Sequence, residues 1–196
     1  MADTYHHGDL RRALLDAADD VLVAQGVSAL SLRDLARRVG VSATAPYHHF
    51  GGKADLVCAL ADDALGKLDD ALAAAATDHA DPEAQLSALG VAYVLFAVDH
   101  PEHFRLAFRP EMGSPFATLA DDSGALPTDT PGFRHLVRVV AQLAPAPADR
   151  VTLAVASWSL AHGLAALLVD GPLKAIASDR ERVRELAERI TSDLEY

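Results

Sequence analysis

The sequence predicts an all-α fold. Alanine and leucine dominate the hydrophobic half of the chain, which favours helices, whereas the β-branched and aromatic residues that favour strands are sparse. Apolar residues also recur at three- and four-residue spacing in nearly every periodic stretch. With 196 residues, the chain is long enough for a small domain followed by a larger one.

The first helix is predicted from residue 8 to residue 25, and Gly26 ends it. Its apolar stripe faces a small core, which two further helices complete. The stripe consists of Leu10, Leu14, Ala17, Ala18, Val21 and Leu22.

Residues 31–53 predict a helix-turn-helix. Ser31 can cap a helix over residues 32–39, and Gly40 supplies the left-handed backbone that ends it. Ser42 offers a side-chain oxygen to the first N–H groups of the next helix. Two helices joined this tightly are typical of a DNA reader, whose second helix lies in the major groove.

The second helix of this pair presents polar side chains outward. Tyr47, and Lys53 at the start of the following helix, can each meet a phosphate. Thr44 and His48 can reach base edges, and His49 can contact either a base or a phosphate. These residue types therefore indicate DNA binding.

Pro46 leaves two possibilities for the start of this second helix. If Ser42 is the cap, Pro46 removes the first intrahelical N–H bond, and if Ala45 is the cap, it costs nothing. We expect a late or irregular start, after which Phe50 turns back into the core. Ala43 and Ala45 offer no side-chain hydrogen bonds, so DNA shape and phosphate contacts should carry more of the specificity.

A long helix over residues 53–78 is predicted to join two domains. It turns apolar residues inward and two pairs of aspartates towards solvent. The inward residues are Leu56, Val57, Leu60, Ala64, Leu65, Leu68 and Leu72, and the outward ones are Asp62, Asp63, Asp69 and Asp70.

Further helices follow in the second half. Asp81 and Pro82 predict a capped helix start, and His100-Pro101-Glu102 predicts another. Residues 110–132 hold four prolines and three glycines, which predicts a loop. The helices are expected at residues 82–98, from residue 101, and at 133–143, 149–170 and 179–194.

Charge is distributed unevenly along the chain. The net charge of −11 opposes nucleic-acid binding, because neutralisation of phosphates supplies most non-specific affinity. However, residues 1–54 carry six basic and six acidic residues, and residues 31–53 carry four basic residues and one acidic. The surplus of acid therefore lies beyond the predicted reader, where it helps solubility.

The sequence disfavours several other function classes. The single cysteine, Cys58, excludes an internal disulfide, and His100 and His103 have no evident third metal ligand. No catalytic motif is recognisable, so we expect no enzyme, metal or cofactor. With no export leader and no uncharged apolar stretch of about 20 residues, we expect a cytoplasmic protein without membrane contact.

Several N-terminal motifs are informative through their order and spacing. They are Tyr5-His6-His7-Gly8-Asp9-Leu10, the helix over 32–40, Val41-Ser42, Tyr47-His48-His49-Phe50, and Lys53 followed by Asp55-Leu56. Together they resemble the N-terminal domain of the TetR/AcrR family of bacterial transcriptional regulators. Trp158, His162 and Gly163 are similar to the signature of a C-terminal ligand-domain subclass of that family, sometimes called WHG.

The resemblance implies a three-helix helix-turn-helix DNA-binding domain over residues 1–54 and a helical effector-binding and dimerisation domain over residues 55–196. It implies a homodimeric repressor that binds a palindromic operator and is released by a small-molecule effector. The family's DNA contacts fall on positions matching Arg33, Thr44, Tyr47, His49 and Lys53.

Two interpretations stay open for the C-terminal aromatic residues. Trp158 and His162 share one helix face, and they either belong to an ordinary core or line an effector cavity. Gly163 permits another backbone to approach closely. The expected cavity residues are Phe96, His100, Phe104, Phe108, Met112, Trp158 and His162.

The apolar surface of helices 149–170 and 179–194 also has two interpretations. It fits an ordinary core, or a two-fold dimer in which these helices form a four-helix bundle with their copies. Such a dimer would place two reading helices about 34–36 Å apart, or a modest multiple of that. Two further classes stay open: a DNA-binding dimer without an effector, and an all-helical carrier or enzyme with an apolar cavity.

Overall fold

The computed structural model describes residues 7–77, 80–109, 126 and 129–192. Regular secondary structure in these ranges is helical, which confirms the all-α prediction. The α-helices are α1 (His7–Gln25), α2 (Leu32–Val39), α3 (Lys53–Thr77), α4 (Pro82–Asp99), α5 (Pro101–Ala107), α6 (Arg134–Leu143), α7 (Pro147–Val169) and α8 (Arg180–Ser192). Short 3₁₀ turns occupy Val27–Ala29, Ala45–His48 and Lys174–Ile176.

Three predicted helix ends are confirmed by their caps, at Ser31, Gly40 and Asp81. The Ser31 hydroxyl accepts a hydrogen bond from the Asp34 backbone N–H at 3.4 Å, which starts α2. Gly40 ends α2 with φ of 78° and ψ of 28°, in the left-handed region that glycine tolerates best. The Asp81 carboxylate accepts from the Ala84 N–H at 2.9 Å and caps α4.

Two hydrophobic clusters organise the molecule, and α3 contributes to both. The N-terminal cluster packs α1, α2 and the first half of α3, and the C-terminal cluster packs the second half of α3 with α4, α6, α7 and α8. Their fully buried anchors include Leu14, Leu22, Leu35, Leu56 and Leu60 in the first, and Leu68, Val94, Val139, Val140 and Leu168 in the second.

The short helix α5 lies between the two clusters. Leu106 is buried in the N-terminal cluster, although its chain neighbours belong to the second half of the sequence. Phe104, two residues earlier, is buried in the C-terminal cluster. One helical turn therefore contacts both halves of the molecule through opposite faces.

Asp69 departs from the prediction that it faces solvent. It is 2% exposed, and its Oδ1 accepts a hydrogen bond from the Gly132 backbone N–H at 2.9 Å. Its other oxygen pairs with Arg134, and His135 Nε2 lies 3.4 Å from Oδ1. Asp69 thus fixes α3 to the start of α6, because a buried carboxylate requires such partners.

Helix α7 is long and apolar enough to cross a membrane by length and composition alone. A single helix of this kind is weak support for a span, because the core helix of a soluble protein passes the same criterion. The close approach expected at Gly163 is not made within one chain, since a Cβ there would meet nothing within 4 Å. Leu167, one turn later, is 43% exposed.

Candidate functional site

The element after α2 is shorter than predicted. A 3₁₀ turn over Ala45–His48 stands where a second α-helix was expected, and Thr44 precedes it. Ser42 was expected to cap this element, which is wrong: its hydroxyl lies 3.2 Å from the Thr44 hydroxyl, and the turn has no side-chain cap. The late, irregular start that Pro46 predicts is confirmed, since the proline stands in the first helical positions, where no N–H bond is lost.

The side chains selected for DNA contact lie on α2, on and beside this turn, and at the start of α3. We call them the reading surface: Arg33, Ser42, Thr44, Tyr47, His48, His49 and Lys53. Six of them are exposed, and His49 is half-buried. Tyr47 is 56% exposed, which is unusual for so large an aromatic residue. The six exposed side chains are therefore accessible to a partner.

Buried residues beneath the reading surface hold the turn in place. Phe50 is 3% exposed within the N-terminal cluster, as predicted, and Pro46 is buried. The guanidinium carbon of Arg11 lies 5.4 Å from the centre of the Phe50 ring, a cation–π arrangement that ties α1 to the end of the turn.

The start of α3 is fixed by two polar contacts. The Asp55 carboxylate accepts from the Gly51 N–H at 2.9 Å, and a Cβ at Gly51 would lie 2.7 Å from the same carboxylate oxygen. Lys53 Nζ donates to the Ser28 carbonyl at 2.9 Å. Since an ammonium carries three donors, Lys53 can brace the turn at Ser28 and still meet a phosphate.

In the C-terminal half, five side chains form a packed group, which we call the ring cluster: Tyr93, Phe104, Phe108, Trp158 and His162. The His162 ring lies 4.9 Å from Phe108, 4.8 Å from Trp158 and 5.3 Å from Phe104, measured between ring centres. The Tyr93 hydroxyl and His162 Nδ1 are hydrogen-bonded at 2.8 Å. Such distances are those of ordinary aromatic packing.

Burial controls ionisation in the ring cluster. Desolvation raises the pKa of Tyr93 far above its usual value, and a hydrogen bond with Trp158 only partly opposes this. Burial also lowers the pKa of His162, which favours the neutral ring. The cluster is therefore uncharged near neutral pH.

The predicted cavity residues separate into two groups. Phe104, Phe108, Trp158 and His162 meet in the ring cluster, and a partly open pocket beside Tyr93 and Trp158 measures about 40 Å³, room for a few water molecules. Phe96 and His100 instead line an open groove of about 1120 Å³ between α3, α4 and α8. Met112 lies outside the described residues, as do Tyr5 and His6.

Sequence reasoning missed two residues of these sites. Tyr93 stands one turn before Phe96 on α4, and that spacing could have placed it beside the other rings. Asp69 stands four residues after Leu65 and three before Leu72, within the apolar stripe of α3, so its position indicated burial although its residue type did not.

Comparison with known families identifies both halves of the chain. Residues 86–194 match the family described as "Tetracyclin repressor-like, C-terminal domain". Residues 14–60 match "Bacterial regulatory proteins, tetR family".

Curated relatives are similar to part of the chain. The HTH-type transcriptional regulator BetI of Rhizobium meliloti is 42% identical over 79 residues, which cover 40% of this chain and 39% of that protein. The HTH-type regulator YobS of Bacillus subtilis is 32% identical over 100 residues, or 51% of this chain and 52% of that protein. The similarity therefore spans at most about half the length of these relatives.

Solved structures are similar over nearly the whole chain. A protein of unknown function from Rhodococcus sp. RHA1 is 31% identical, with a TM-score of 0.68, and 96% of this chain and 98% of that one are covered. A TetR of Acinetobacter baumannii, solved in complex with minocycline, is 17% identical, with a TM-score of 0.61 over 98% of this chain and 96% of that one. At 17% identity, the second likeness shows the fold alone.

Proposed function

Because this chain belongs to the TetR family of bacterial transcriptional regulators, we propose that it is a homodimeric repressor released from a palindromic operator by a small-molecule effector. Regulators of this family bind operator DNA and act as dimers. The family assignment implies a DNA-binding regulator without enzymatic activity, acting in the cytoplasm. The proposed division assigns residues 1–54 to the reader and 55–196 to effector binding and dimerisation.

Operator binding by the reading surface rests chiefly on one observation. Tyr47 is 56% exposed on a turn whose neighbouring residues Pro46 and Phe50 are buried, so its side chain extends from a fixed support. A hydroxyl held in this way can donate to a phosphate without ordering a mobile loop, and less conformational entropy is then lost on binding. Arg33 and Lys53 add positive charge beside it.

The experiment is fluorescence anisotropy on the protein's own upstream DNA at two salt concentrations. We expect Tyr47→Ala to weaken binding by about tenfold or more, the factor for one hydrogen bond to a charged group. Val23→Ala is the matched control, because Val23 is also a large, exposed apolar side chain, at 59%, but lies on α1 outside the reading surface. Equal binding by wild type and Tyr47→Ala would overturn the assignment.

Charge can be tested in the same way. Arg33→Ala should lower the slope of log affinity against log salt by about one, as expected for one lost phosphate contact. Arg138→Ala on α6 removes the same charge from an exposed position in the C-terminal half, outside the proposed dimer interface, and should leave the slope unchanged. A slope that responds equally to both changes would contradict a local reading surface.

The proposed dimer uses the outer faces of α7 and α8. Gly163 has open space beside it and Leu167 is 43% exposed, so this part of α7 has room for a second copy. We expect a dimeric mass by light scattering at micromolar concentration and a monomeric mass for Leu167→Glu, with Arg138→Glu as the control, because Arg138 is exposed on α6 outside the proposed interface. A monomeric wild type would remove this part of the proposal.

Effector binding has a direct competitor. The partly open pocket of about 40 Å³ beside the ring cluster is too small for a drug-sized molecule, whereas the open groove that Phe96 and His100 line measures about 1120 Å³. The alternative is a DNA-binding dimer without an effector. In our proposal the effector separates the ring cluster and lowers operator affinity by about 1–3 kcal/mol, the usual size of such coupling.

Trp158 provides the test of effector binding. It is the single tryptophan of the chain, so its emission reports on the ring cluster alone. A compound that shifts this emission and weakens operator binding in proportion supports the effector proposal. If emission shifts while operator affinity stays constant, the linkage fails, and if no compound in a chemically diverse set shifts emission, the effector-free alternative holds.

A further inference from the structure

A polar cluster joins the two halves of the molecule away from the reading surface and the ring cluster. It consists of Asp19 on α1, Lys67 on α3 and His103 on α5, and we call it the junction cluster. His103 Nε2 lies 2.6 Å from Asp19 Oδ1, and Lys67 Nζ lies 2.9 Å from Asp19 Oδ2. His103 is 5% exposed, so its ring contacts protein rather than solvent.

One atom of this cluster has two partners that require opposite roles. His103 Nε2 also lies 3.0 Å from Lys67 Nζ. A carboxylate only accepts hydrogen bonds and an ammonium only donates them, so Nε2 must carry a proton to bond Asp19 and must lack one to bond Lys67. The nitrogen can satisfy one of these partners at a time.

We propose that His103 is a positioning residue whose protonation fixes the N-terminal half of the molecule to α5 through Asp19. A protonated ring always donates from Nε2 and holds α1. A neutral ring divides Nε2 between its two tautomers, one bonded to Asp19 and the other to Lys67 of α3. The attachment of α1 to α5 is therefore strongest at low pH and weakens as His103 loses its proton.

The neighbouring groups keep Asp19 and Lys67 in their charged forms. Burial opposes ionisation of Asp19, but the hydrogen bond from Lys67 and the proximity of His103 outweigh it and lower the pKa of Asp19. Burial likewise acts against the charge of Lys67, yet its bonds to Asp19 and Asp63 raise its pKa. Lys67 Nζ lies 2.9 Å from the Asp19 carboxylate and 3.2 Å from the Asp63 carboxylate, so it retains both ion pairs when His103 does not accept a hydrogen bond from it.

Other charged and titratable groups face His103 from each packed element. On α1 and α3, Arg12 bridges Asp16 and Asp63. At the α4–α5 junction stand Asp99 and His100, whose ring centre is 5.7 Å from that of His103, and α5 itself carries Glu102 and Arg105, which pair with one another. Burial lowers the pKa of His100, and the charge of His103 adds to this shift, so His100 is the second histidine to control for.

The test is amide hydrogen exchange of the full chain without DNA, comparing variants with wild type at the same pH so that intrinsic exchange rates cancel. We expect His103→Gln to speed exchange in α1 by about tenfold at low pH, the factor for one charge-assisted hydrogen bond. The ratio of the α1 exchange rate in His103→Gln to that in wild type should fall at least threefold between about pH 5.5 and pH 8, the range in which histidines change charge. Exchange in α8 should not change.

Two further variants keep the proposal falsifiable. His100→Gln should match wild type at both pH values, and Asp19→Asn, which keeps an acceptor oxygen without its charge, should reproduce the pH-dependent ratio of His103→Gln. A ratio that is independent of pH in both junction variants, or an equal effect of His100→Gln, would overturn the proposal. If His103→Gln also loosens α8, Asp19→Asn alone decides.

The inference rests on the proposed function only where a change in the attachment of α1 to α5 is taken to change operator affinity. Hydrogen exchange is measured without DNA, and operator binding is measured separately at the same pH values. If the wild type does not bind operator DNA but hydrogen exchange shows the expected pH dependence, the proposed repressor function is refuted and the role of the junction cluster is supported.

Discussion

In the reading surface, Tyr47 is 56% exposed, whereas in the ring cluster Tyr93 is 4% exposed and already hydrogen-bonded to His162. The first tyrosine can meet a partner without any change in the protein. The second can do so only if neighbouring rings move apart. The two regions therefore differ in preorganisation: DNA binding needs a fixed surface, and an effector site within the ring cluster would need a conformational change.

The largest expected loss of stability comes from substitution of Phe50, the buried aromatic residue next to the reading turn. Phe50→Ala removes a buried ring from the N-terminal cluster and should lower the free energy of unfolding by about 3–5 kcal/mol. Tyr47→Ala should change it by less than about 0.5 kcal/mol, because the side chain is largely exposed. Urea unfolding followed by circular dichroism measures both, and equal losses would mean that Tyr47 is structural.

The next effect concerns the fixed frame around the ring cluster. Asp69→Asn weakens the buried contacts to Gly132 and Arg134 and should cost about 1.5–3 kcal/mol. Asp70→Asn is the matched control, since Asp70 is the exposed neighbour on the same helix, and it should cost less than about 0.5 kcal/mol. Thermal unfolding of the two variants side by side decides, and indistinguishable midpoints would contradict the role of Asp69.

A smaller effect is expected within the reading turn. Pro46→Leu should preserve the fold, because the proline occupies a position where no backbone hydrogen bond is lost. Operator affinity should change by no more than about 1 kcal/mol, the size of one ordinary hydrogen bond. Circular dichroism and anisotropy are the readouts, and loss of the helical spectrum would show that Pro46 carries the turn.

The smallest effect is a pH dependence of the ring cluster. Burial lowers the pKa of His162 in the folded protein, so the unfolded chain binds the proton more readily. The stability that the neutral ring contributes is full above the ordinary histidine pKa of about 6.5 and is lost as pH falls below it. Because the ring is partly accessible to solvent, we expect less than about 1 kcal/mol, seen as a difference between wild type and His162→Gln in urea midpoints at about pH 5.5 and 7.5. Parallel midpoints would remove the prediction.

Local signals in the sequence predicted most helix boundaries. Ser31, Gly40 and Asp81 act through hydrogen bonds or backbone conformations within a few residues, so their effects depend little on the rest of the fold. The same locality explains why Phe50 was correctly placed in the core. The 3₁₀ turn was predicted less well, because Pro46 could be accommodated in two ways and only packing against α2 selects one.

Contacts between distant residues were not predictable. The sequence places Asp69 in one of two aspartate pairs that are predicted to face solvent. It is buried only because Gly132 and Arg134, more than sixty residues later, pack against it. Phe96 and Phe108 have the same residue type, yet one faces an open groove and the other the ring cluster. Helical spacing gives the face of a helix but not the element that covers it.

The sequence by itself determined the helical fold, most helix ends and the candidate DNA-contacting side chains, because propensities, caps and apolar spacing act over a few residues. The tertiary structure alone decided that the ring cluster is packed, that Asp69 is buried, and that Asp19, Lys67 and His103 meet. These outcomes depend on how three or more helices pack together, and packing joins residues whose separation along the chain carries no local signal.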